Sequence, residues 1–411
     1  MIARIGNGSP SSHRPANDRS QLALYVSAGP RMVSYAVDVT RGALARMDGS
    51  VRLPEAVQFA CPDGGGQHLY VVSSNGAPGA AGTHHYASAL RIDRESRRLY
   101  PHGEPIRLPS RPLHITTDRT SEHALIVYNG LDTVTVLRIA RDGSLGEEVR
   151  QPASLHTGHF SHEIAVTPSN EAAIVVARGT NATAVEPEHP GALNVLRYTQ
   201  GVLENRTSIA PNGGYGFGPR NIALNPRGPW LYASLERQNQ LCVFPFEGDA
   251  VGSEPLFQSD TLADVENVRP MQLAGAIHMH PTGRFLYLAN RAFGAMDVDG
   301  RKLFCGGENT IVVYAIDDRT GEPTKIQTVD THGIYARTFS IDPSGRMLVA
   351  ANIRSLVVRR GAAVQEVPAN LSVFSIGEDG RLEHVRSYDL DFAPDEPFWS
   401  GLVAYSEYGS Q

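Results

Sequence analysis

The sequence has few of the features that mark several large classes of protein. Its three cysteines, Cys61, Cys242 and Cys305, are odd in number and widely spaced, unlike a disulfide framework or a structural zinc site. Such usage is typical of a reducing compartment. No apolar run is long enough to span a membrane, and residues 1–6 lack the apolar segment of a signal peptide. We therefore expect a cytoplasmic protein.

Charge of one sign is not concentrated anywhere in the chain. The formal net charge is −6 and no segment is rich in Lys and Arg. Nucleic acids and anionic membranes are therefore not expected as partners. The 40 glycines and 27 prolines are spread along the chain, which indicates frequent turns rather than low complexity. Residues 1–20, rich in Ser, Pro, Asn and Arg, predict a flexible N-terminal tail.

The chain does contain a repeat. In one copy, an alternating segment around His278 leads into the turn residues Pro281–Arg284, and a second alternating segment, Phe285–Asn290, follows at once. This pattern is typical of two strands joined by a tight turn. Thr310–Ile316 and Lys325–Val329 predict a third and a fourth strand.

The turn recurs along most of the chain, at intervals of 50 to 62 residues. It is marked by Pro62, Asp118, Pro168, Pro226, Pro281 and Pro343. A four-stranded repeat of about this length is typical of a β-propeller blade. An additional first blade, which begins at Leu22, lacks an innermost strand, and Pro397–Tyr405 predicts an innermost strand without a blade. The sequence thus predicts an all-β, seven-bladed β-propeller over residues 21–411, a single domain closed by its C-terminal strand.

The loop lengths indicate which face carries the site. We name the strands of each blade a to d from the centre outward. The b–c connections are long in four blades, at 73–88, 178–192, 292–309 and 353–370. Because strand direction alternates, these loops and the d–a links between blades emerge on one face. Long loops usually exist because they have a function.

Polar residues are predicted to gather at this face around the central channel. The links contribute His159, His162, Arg220, His278, His332 and Arg337, and the b-strand ends contribute Asn75, Asn129, Arg178, Glu236, Arg291 and Arg354. Cations and imidazoles with one carboxylate suit an anionic substrate, because arginine forks bind carboxylate or phosphate and His or Glu can move a proton. The alternative is that these residues only hold water and tie blades together. The histidine pairs lack a helix that would hold a metal, and no metal or cofactor is expected.

Five segments form a recognisable set of motifs: Gly218–Asn221, Asn225–Gly228, Leu231–Glu236, His280–Arg291 and Ile341–Arg346. They resemble the seven-bladed lactonase family, which includes bacterial 6-phosphogluconolactonases and fungal 3-carboxy-cis,cis-muconate lactonising enzymes. The likeness is best over residues 160–405. For the lactonising branch the resemblance implies an active-site set of Glu236, Arg220, Arg291 and either His162 or His159. His159, His278, Arg337, Arg178 and His332 are the further candidates for substrate binding.

The expected activity is hydrolysis of a small, acidic lactone of the sugar-acid type at the channel mouth. Glu236 or His162 would deprotonate the attacking water, while Arg220 and Arg291 hold the substrate anion. A muconate-type cycloisomerase, in which a carboxylate adds across its own double bond, is the second hypothesis. A non-catalytic propeller that binds a ligand or a protein is the third. The substrate's identity and the oligomeric state are left open.

Overall fold

The computed structural model describes residues 22–361, 363–390 and 398–405. Over these residues the secondary structure is thirty-four strands, which we number β1–β34 in chain order, and one short 3₁₀ turn at Pro211–Gly214. Helices long and apolar enough to cross a membrane are absent from this part of the chain. The predicted tail over residues 1–20 lies outside the described residues. The tail and the single domain over residues 21–411 therefore stay predictions.

Six blades follow one another along the chain, each built in sequence order from its innermost strand outward. Blade 2 contains β5 Val57–Pro62, β6 His68–Ser74, β7 His85–Ile92 and β8 Leu99–Arg107. Blade 3 contains β9 Pro112–Thr117, β10 His123–Tyr128, β11 Val134–Ile139 and β12 Leu145–Glu148. Blade 4 contains β13 Ser161–Val166, β14 Ala172–Ala177, β15 Ala192–Thr199 and β16 Val202–Ile209. Blade 5 contains β17 Pro219–Leu224, β18 Trp230–Leu235, β19 Gln240–Glu247 and the outer strands β20 Ala250–Val251 and β21 Phe257–Asp260. Blade 6 contains β22 Gln272–Met279, β23 Phe285–Ala292, β26 Thr310–Ile316 and β27 Pro323–Asp330. Blade 7 contains β28 Ile334–Ile341, β29 Met347–Arg354, β32 Asn370–Ile376 and β33 Leu382–Asp389.

Blade 1 joins the two ends of the chain. Its strands are β1 Leu22–Ala28, β2 Arg31–Asp38, β3 Ala43–Arg46, β4 Val51–Arg52 and β34 Phe398–Ala404. The C-terminal strand β34 pairs antiparallel with β1, from Leu22 opposite Ala404 to Ala28 opposite Phe398. The predicted closure of the ring is confirmed: β1 is paired on both sides, and β34 becomes the innermost strand of blade 1. The outer strand β3 was not predicted, because its sequence Ala-Leu-Ala-Arg has one large apolar side chain and no alternation.

The hydrophobic core is divided among the seven interfaces between neighbouring blades. In β14, for example, Ala173 and Val175 pack toward blade 3, whereas Ile174 and Val176 pack toward blade 5. Successive side chains of a strand point to opposite faces, and both faces of a blade are covered. This is why the b strands are continuous apolar runs, as strands buried on both faces are.

Two of the long b–c connections each contain an additional β-hairpin. They contain the hairpins β24 Ala295–Val298 with β25 Arg301–Phe304, and β30 Leu356–Arg360 with β31 Ala363–Val367. β25 and β30 pair in parallel at Leu303 and Val357, which joins the hairpins from blades 6 and 7 into one additional sheet. We call it the accessory sheet. β24, β25 and β31 are mostly exposed, whereas Phe304, Leu356, Val358 and Val367 pack against the core between blades 1 and 7. The strands are only four or five residues long and show no clear alternation, so the sequence did not predict them.

The strand order places all four long loops on one face of the disc. Each blade pairs a, b, c and d antiparallel, so the b–c connections and the d–a links return to the same side. This agrees with the sequence-based prediction. The innermost strands also begin at this face, which places their first residues and the ends of the b strands close together.

Removal of the closing strand is expected to abolish folding. Truncation after Leu390 deletes Phe398 and Trp399, which are 1% and 4% exposed, and leaves β1 unpaired on its inner side. Losing one large buried aromatic side chain alone costs about 3–5 kcal/mol. We expect insoluble or unfolded protein, measured by soluble yield and circular dichroism.

The matched control for this experiment is a chain that lacks only residues 406–411 and therefore keeps β34. It is expected to fold and to melt like the full chain. A folded, soluble protein without β34 would contradict the role given to the closing strand.

Candidate active site

Six of the seven innermost strands shift register against their b strand within their first few residues, as at a β-bulge. The residues passed over by the pairing are Gln58, Leu113, His162, Arg220, Gly275 with Ala276, and Arg337. The seventh innermost strand, β34, pairs with β1 without a shift. A bulge leaves its extra residue unpaired and changes the direction of the side chain. The shifts turn four polar side chains toward the central channel.

A cavity of about 280 Å³ lies in this channel and is lined by all seven innermost strands. Each register shift contributes a wall residue: Gln58, Leu113, His162, Arg220, Ala276 and Arg337. Such a volume is close to the lower end of the range for small-molecule sites. The cavity therefore suits a small metabolite.

A buried carboxylate, Glu236, is surrounded by three arginines from three neighbouring blades. Arg178 follows β14 in blade 4, Arg220 lies at the register shift of β17 in blade 5, and Arg291 lies in β23 of blade 6. The Arg220 Nε atom is 3.1 Å from Glu236 Oε1. Arg291 Nη2 donates to the same oxygen, and Arg178 Nη1 donates to Oε2. We call these four residues the arginine cluster.

The arginine cluster keeps Glu236 ionised. Burial opposes ionisation, but the positive charges of Arg291, Arg178 and Arg220 outweigh it and lower the pKa of Glu236 to about 2. A carboxylate with this pKa, with both oxygens already accepting hydrogen bonds, is a poor proton acceptor at neutral pH. Its geometry suits it to hold the arginines in position.

Gly275 makes room for Arg291 to reach the cluster. A Cβ atom at Gly275 would lie 3.0 Å from the carbonyl oxygen of Ala289 and 3.4 Å from Cδ and Nε of Arg291. Gly275 thus carries no side chain, and the side chain of Arg291 from the neighbouring b strand fills the space. The ring of Tyr335 covers the other side of the guanidinium, with its hydroxyl 3.3 Å from Arg291 Nη1.

His162 lines the cavity and has an unused nitrogen. Its Nδ1 atom is buried and has no hydrogen-bond partner among the described residues. Burial and the charges of Arg220, Arg178, Arg291 and Arg337 hold the pKa of His162 well below its ordinary value. The imidazole is therefore neutral at physiological pH and can accept a proton.

Two further cations lie near the cavity outside the arginine cluster. The Arg337 side chain lines the cavity and makes no hydrogen bond or ion pair with any described residue. Arg111 donates through Nε and Nη2 to Gln58 Oε1, at 3.1 and 3.0 Å. Burial and the nearby charge of Arg337 lower the pKa of Arg111 to about 10, so it stays charged at neutral pH. Neither arginine forms an ion pair with a carboxylate among the described residues, so a bound anion would balance their charge.

Of three further histidines predicted for the site, one lines the cavity and two are exposed. His278 lines the cavity edge-on to Phe339, and burial lowers its pKa to about 4. His159 is exposed and lies against His189, with ring centroids 4.3 Å apart, and it does not line the cavity. His332 is exposed and stacks on His384, at 3.8 Å. His159 and His332 are thus exposed on the links and do not line the cavity.

Sequence reasoning missed Gln58, Arg111, Glu163 and Tyr335. Gln58 occupies in β5 the same position as His162 in β13 and Arg220 in β17, one residue into the strand. Aligning the repeats on their first strands would have found it. Arg111 immediately precedes β9, and Glu163 follows His162. For Tyr335 the sequence offers no signal, because the side chain takes its place behind Arg291 through tertiary packing.

One group of side chains elsewhere resembles a metal site. The ligand atoms of Asp118, Glu122 and His123 lie within 4.8 Å of one another in the a–b turn of blade 3. The Asp118 carboxylate, however, already accepts hydrogen bonds from the backbone N–H groups of Glu122 and His123 and from the Tyr198 hydroxyl, and it contacts the His123 ring nitrogen Nδ1. Asp63 holds His68 in the same way in blade 2. The arrangement is therefore best explained as a repeated turn contact.

The comparison with protein families gives one match over most of the chain. The family described as lactonase, 7-bladed beta-propeller, matches residues 24–361. Among curated proteins, the 6-phosphogluconolactonase of Bacillus subtilis (strain 168) is 28% identical over 268 residues, which are 64% of this chain and 70% of that protein. The 6-phosphogluconolactonase of Erwinia tasmaniensis is 26% identical over 267 residues, 65% and 71% of the two chains.

Solved structures agree with the fold. The periplasmic gluconolactonase of Pseudomonas aeruginosa superposes with a TM-score of 0.69 at 22% identity, covering 94% of this chain and 99% of that one. A putative 6-phosphogluconolactonase of Bacteroides uniformis gives a TM-score of 0.69 at 17% identity, with coverage of 93% and 99%. At these identities the likeness concerns the propeller architecture.

The arginine cluster predicts a pH-dependent contribution to stability. Removing one partner of a buried ion pair costs about 3–5 kcal/mol, so Glu236→Gln is expected to lower the free energy of unfolding by about this amount at pH 7. The pKa of Glu236 is lowered, from 4.5 to about 2, so the contribution is present above pH 4.5 and is lost as the pH falls toward 2. The difference between wild type and variant is therefore expected to narrow below pH 4.5, measured by denaturant unfolding.

The control is Glu254→Gln, which changes an exposed carboxylate. It is expected to leave the free energy of unfolding nearly unchanged across the same pH range. A Glu236→Gln variant as stable as wild type at pH 7 would contradict the structural role given to the cluster.

Proposed function

Because the chain belongs to the lactonase family of seven-bladed β-propellers, we propose that it hydrolyses an anionic sugar-acid lactone in the central cavity. The observation that carries this proposal is the unbalanced positive charge at the cavity wall. Arg220 and Arg337 line the cavity, and the only carboxylate in the arginine cluster, Glu236, is shared by three arginines. The names of the relatives, such as the 6-phosphogluconolactonases of Bacillus subtilis and Erwinia tasmaniensis, make 6-phosphogluconolactone the first compound to test.

Arg337 is the proposed anchor for the anionic group of the substrate. Its guanidinium is unpartnered among the described residues and lines the cavity together with His162 and Arg220. A guanidinium fork binds phosphate or carboxylate through two parallel hydrogen bonds. Arg111, held by Gln58, adds a second positive charge near this end of the site. An anion bound here would orient the lactone ring toward His162 and Arg220.

His162 is the proposed general base, and Glu236 is assigned a positioning role. The neutral imidazole can take a proton from the water that attacks the lactone carbonyl. A bound substrate anion offsets the arginine charges that lower the pKa of His162, so the imidazole becomes a stronger base when substrate is present. Glu236 fixes Arg220, whose guanidinium stabilises the negative charge that develops on the carbonyl oxygen.

The cytoplasm remains the proposed compartment. The three cysteines are free and unpaired in the structure, which supports a reducing environment. The periplasmic gluconolactonase of Pseudomonas aeruginosa shares the fold, so the fold itself does not set the compartment.

The choice between the two candidate histidines gives a direct test. His162→Asn removes the proposed base and is expected to lower kcat by about a hundredfold or more while KM changes little. His159→Ala is the matched control, because it removes an imidazole three residues away that is exposed and outside the cavity. It is expected to keep wild-type kinetics. Hydrolysis is followed by acidification of a weakly buffered assay, corrected for the uncatalysed rate.

A second test concerns the substrate anion. Wild-type protein is expected to prefer 6-phosphogluconolactone over neutral glucono-δ-lactone, and Arg337→Ala is expected to erase this preference by raising KM for the phosphorylated compound at least tenfold. Arg337→Lys restores the charge but not the fork, so its KM is expected to lie between the two. Hydrolysis of the neutral lactone serves as the internal control.

Two outcomes would contradict the proposed function. Absence of hydrolysis with every acidic lactone, together with loss of ultraviolet absorbance on 3-carboxymuconate, would favour the cycloisomerase hypothesis. Absence of turnover with both substrate classes would favour a binding protein.

A further inference from the structure

The wall of the cavity contains a carboxyl group outside the arginine cluster. Glu163 follows His162 in β13, and both residues line the cavity. Its Oε2 atom accepts hydrogen bonds from Asn221 Nδ2 at 2.7 Å and from the Ile222 backbone N–H at 3.1 Å. Its Oε1 atom accepts no hydrogen bond from the described residues and is not among the buried unpaired atoms. One oxygen is thus fixed by the neighbouring blade while the other is left free.

The fixed oxygen gives the carboxyl group a defined orientation. Asn221 is itself held, because its Oδ1 atom accepts a hydrogen bond from Arg220 Nη1. The contacts run from β13 of blade 4 to β17 of blade 5, so the carboxyl group joins two innermost strands at the wall of the cavity. A carboxyl group positioned at a cavity in this way is suited to exchange a proton with a bound ligand.

The titratable groups that line the cavity with Glu163 come from β13 itself, β9, β17, β22 and β28. They are His162, His114, Arg220, His278 and Arg337. Burial, with the charge of Arg220, lowers the pKa of His114 to about 3; burial lowers that of His278 to about 4, and His162 is also shifted downward. The lining residues of β5 and β34 carry no titratable group.

Glu163 is therefore the lining group that changes charge near neutral pH. Burial raises its pKa to about 7, against the opposing effects of the Asn221 and Ile222 hydrogen bonds and the charge of Arg220. The three imidazoles are already neutral at this pH, and Arg220 stays charged because its pKa is lowered only to about 9. Below pH 7 the Glu163 carboxyl group carries a proton that it can donate.

We propose that Glu163 is the general acid that protonates the ring oxygen as the lactone opens. This role rests on the lactone hydrolysis proposed above. In that reaction His162 takes a proton from water, and the hydroxyl oxygen forms a bond to the carbonyl carbon. The bond between that carbon and the ring oxygen then breaks, and the ring oxygen receives the proton of Glu163. A proton passes from the imidazolium to the carboxylate through water, so the net change is lactone plus water to hydroxy acid.

Two other acidic groups near the cavity are less suited to this step. Glu236 is ionised and shared by three arginines, and it does not line the cavity. Tyr335 is also outside the lining set, and its hydroxyl lies against Arg291. Glu163 alone among these three combines a place at the wall, a free oxygen and a proton available near neutral pH.

The test compares Glu163→Gln with Glu163→Ala. The Gln side chain keeps an oxygen that can accept the hydrogen bonds of Asn221 and Ile222, but it has no proton to give. We expect kcat of Glu163→Gln on 6-phosphogluconolactone to fall by about a hundredfold, with KM and the thermal midpoint close to wild type. Glu163→Ala also loses the hydrogen-bond acceptor, so its kcat is expected to fall as far and its thermal midpoint to drop.

The pH profile separates an acid from a structural residue. A general acid must be protonated, so wild-type kcat is expected to fall as the pH rises above about 7. This alkaline limb is expected to disappear in Glu163→Gln. A Glu163→Gln variant with wild-type kcat and an unchanged alkaline limb would overturn the role of Glu163 alone. A wild-type protein that hydrolyses no acidic lactone would overturn this role together with the proposed function.

Discussion

The structure of the site depends on one buried carboxylate shared among three arginines. Glu236 lies at the end of a strand in blade 5, and its partners come from blades 4, 5 and 6. Burying an isolated charge costs too much free energy, so a buried carboxylate needs a positively charged partner, and one guanidinium is enough to neutralise it. Three guanidiniums on one carboxylate leave a net positive charge inside the protein. The cluster therefore both joins three blades and creates a positive field that favours a bound anion.

This field determines the protonation states around the cavity. It contributes, with burial, to keeping His162 neutral, and it lowers the pKa of Tyr335 through Arg291, Arg337 and Arg220, against the effect of burial. At Glu163 burial outweighs the hydrogen bonds from Asn221 and Ile222 and the charge of Arg220, so the pKa of this carboxyl group is raised. A substrate anion at Arg337 would weaken the field and make His162 a better base. Binding and proton transfer are in this way linked through electrostatics without any movement of the backbone.

The fold was accessible from the sequence because every blade repeats a local pattern of strand, turn and strand. The site was accessible only in part. Glu236 and Arg291 could be located because each lies at the end of a recognisable b strand. His159 and His162 could not be separated, since the register shift that turns His162 toward the cavity depends on pairing with β14. Tyr335 and the accessory sheet depend on tertiary contacts that leave no periodic signal in the chain.

The accessory sheet is attached to the backbone behind the arginine cluster. Asn309, at the end of the long loop of blade 6, accepts hydrogen bonds through Oδ1 from the backbone N–H of Ala292 and of Tyr335, at 3.0 and 2.8 Å. These two residues adjoin Arg291 in sequence and in space. The loop is thus fixed at its base, next to the backbone behind the arginine cluster. Its hairpins also pack toward the site, because Phe304, Leu356 and Val358 belong to the same apolar cluster as Tyr335. Tyr335 in turn covers Arg291, so the accessory sheet contributes to the packing that holds the arginine cluster in position.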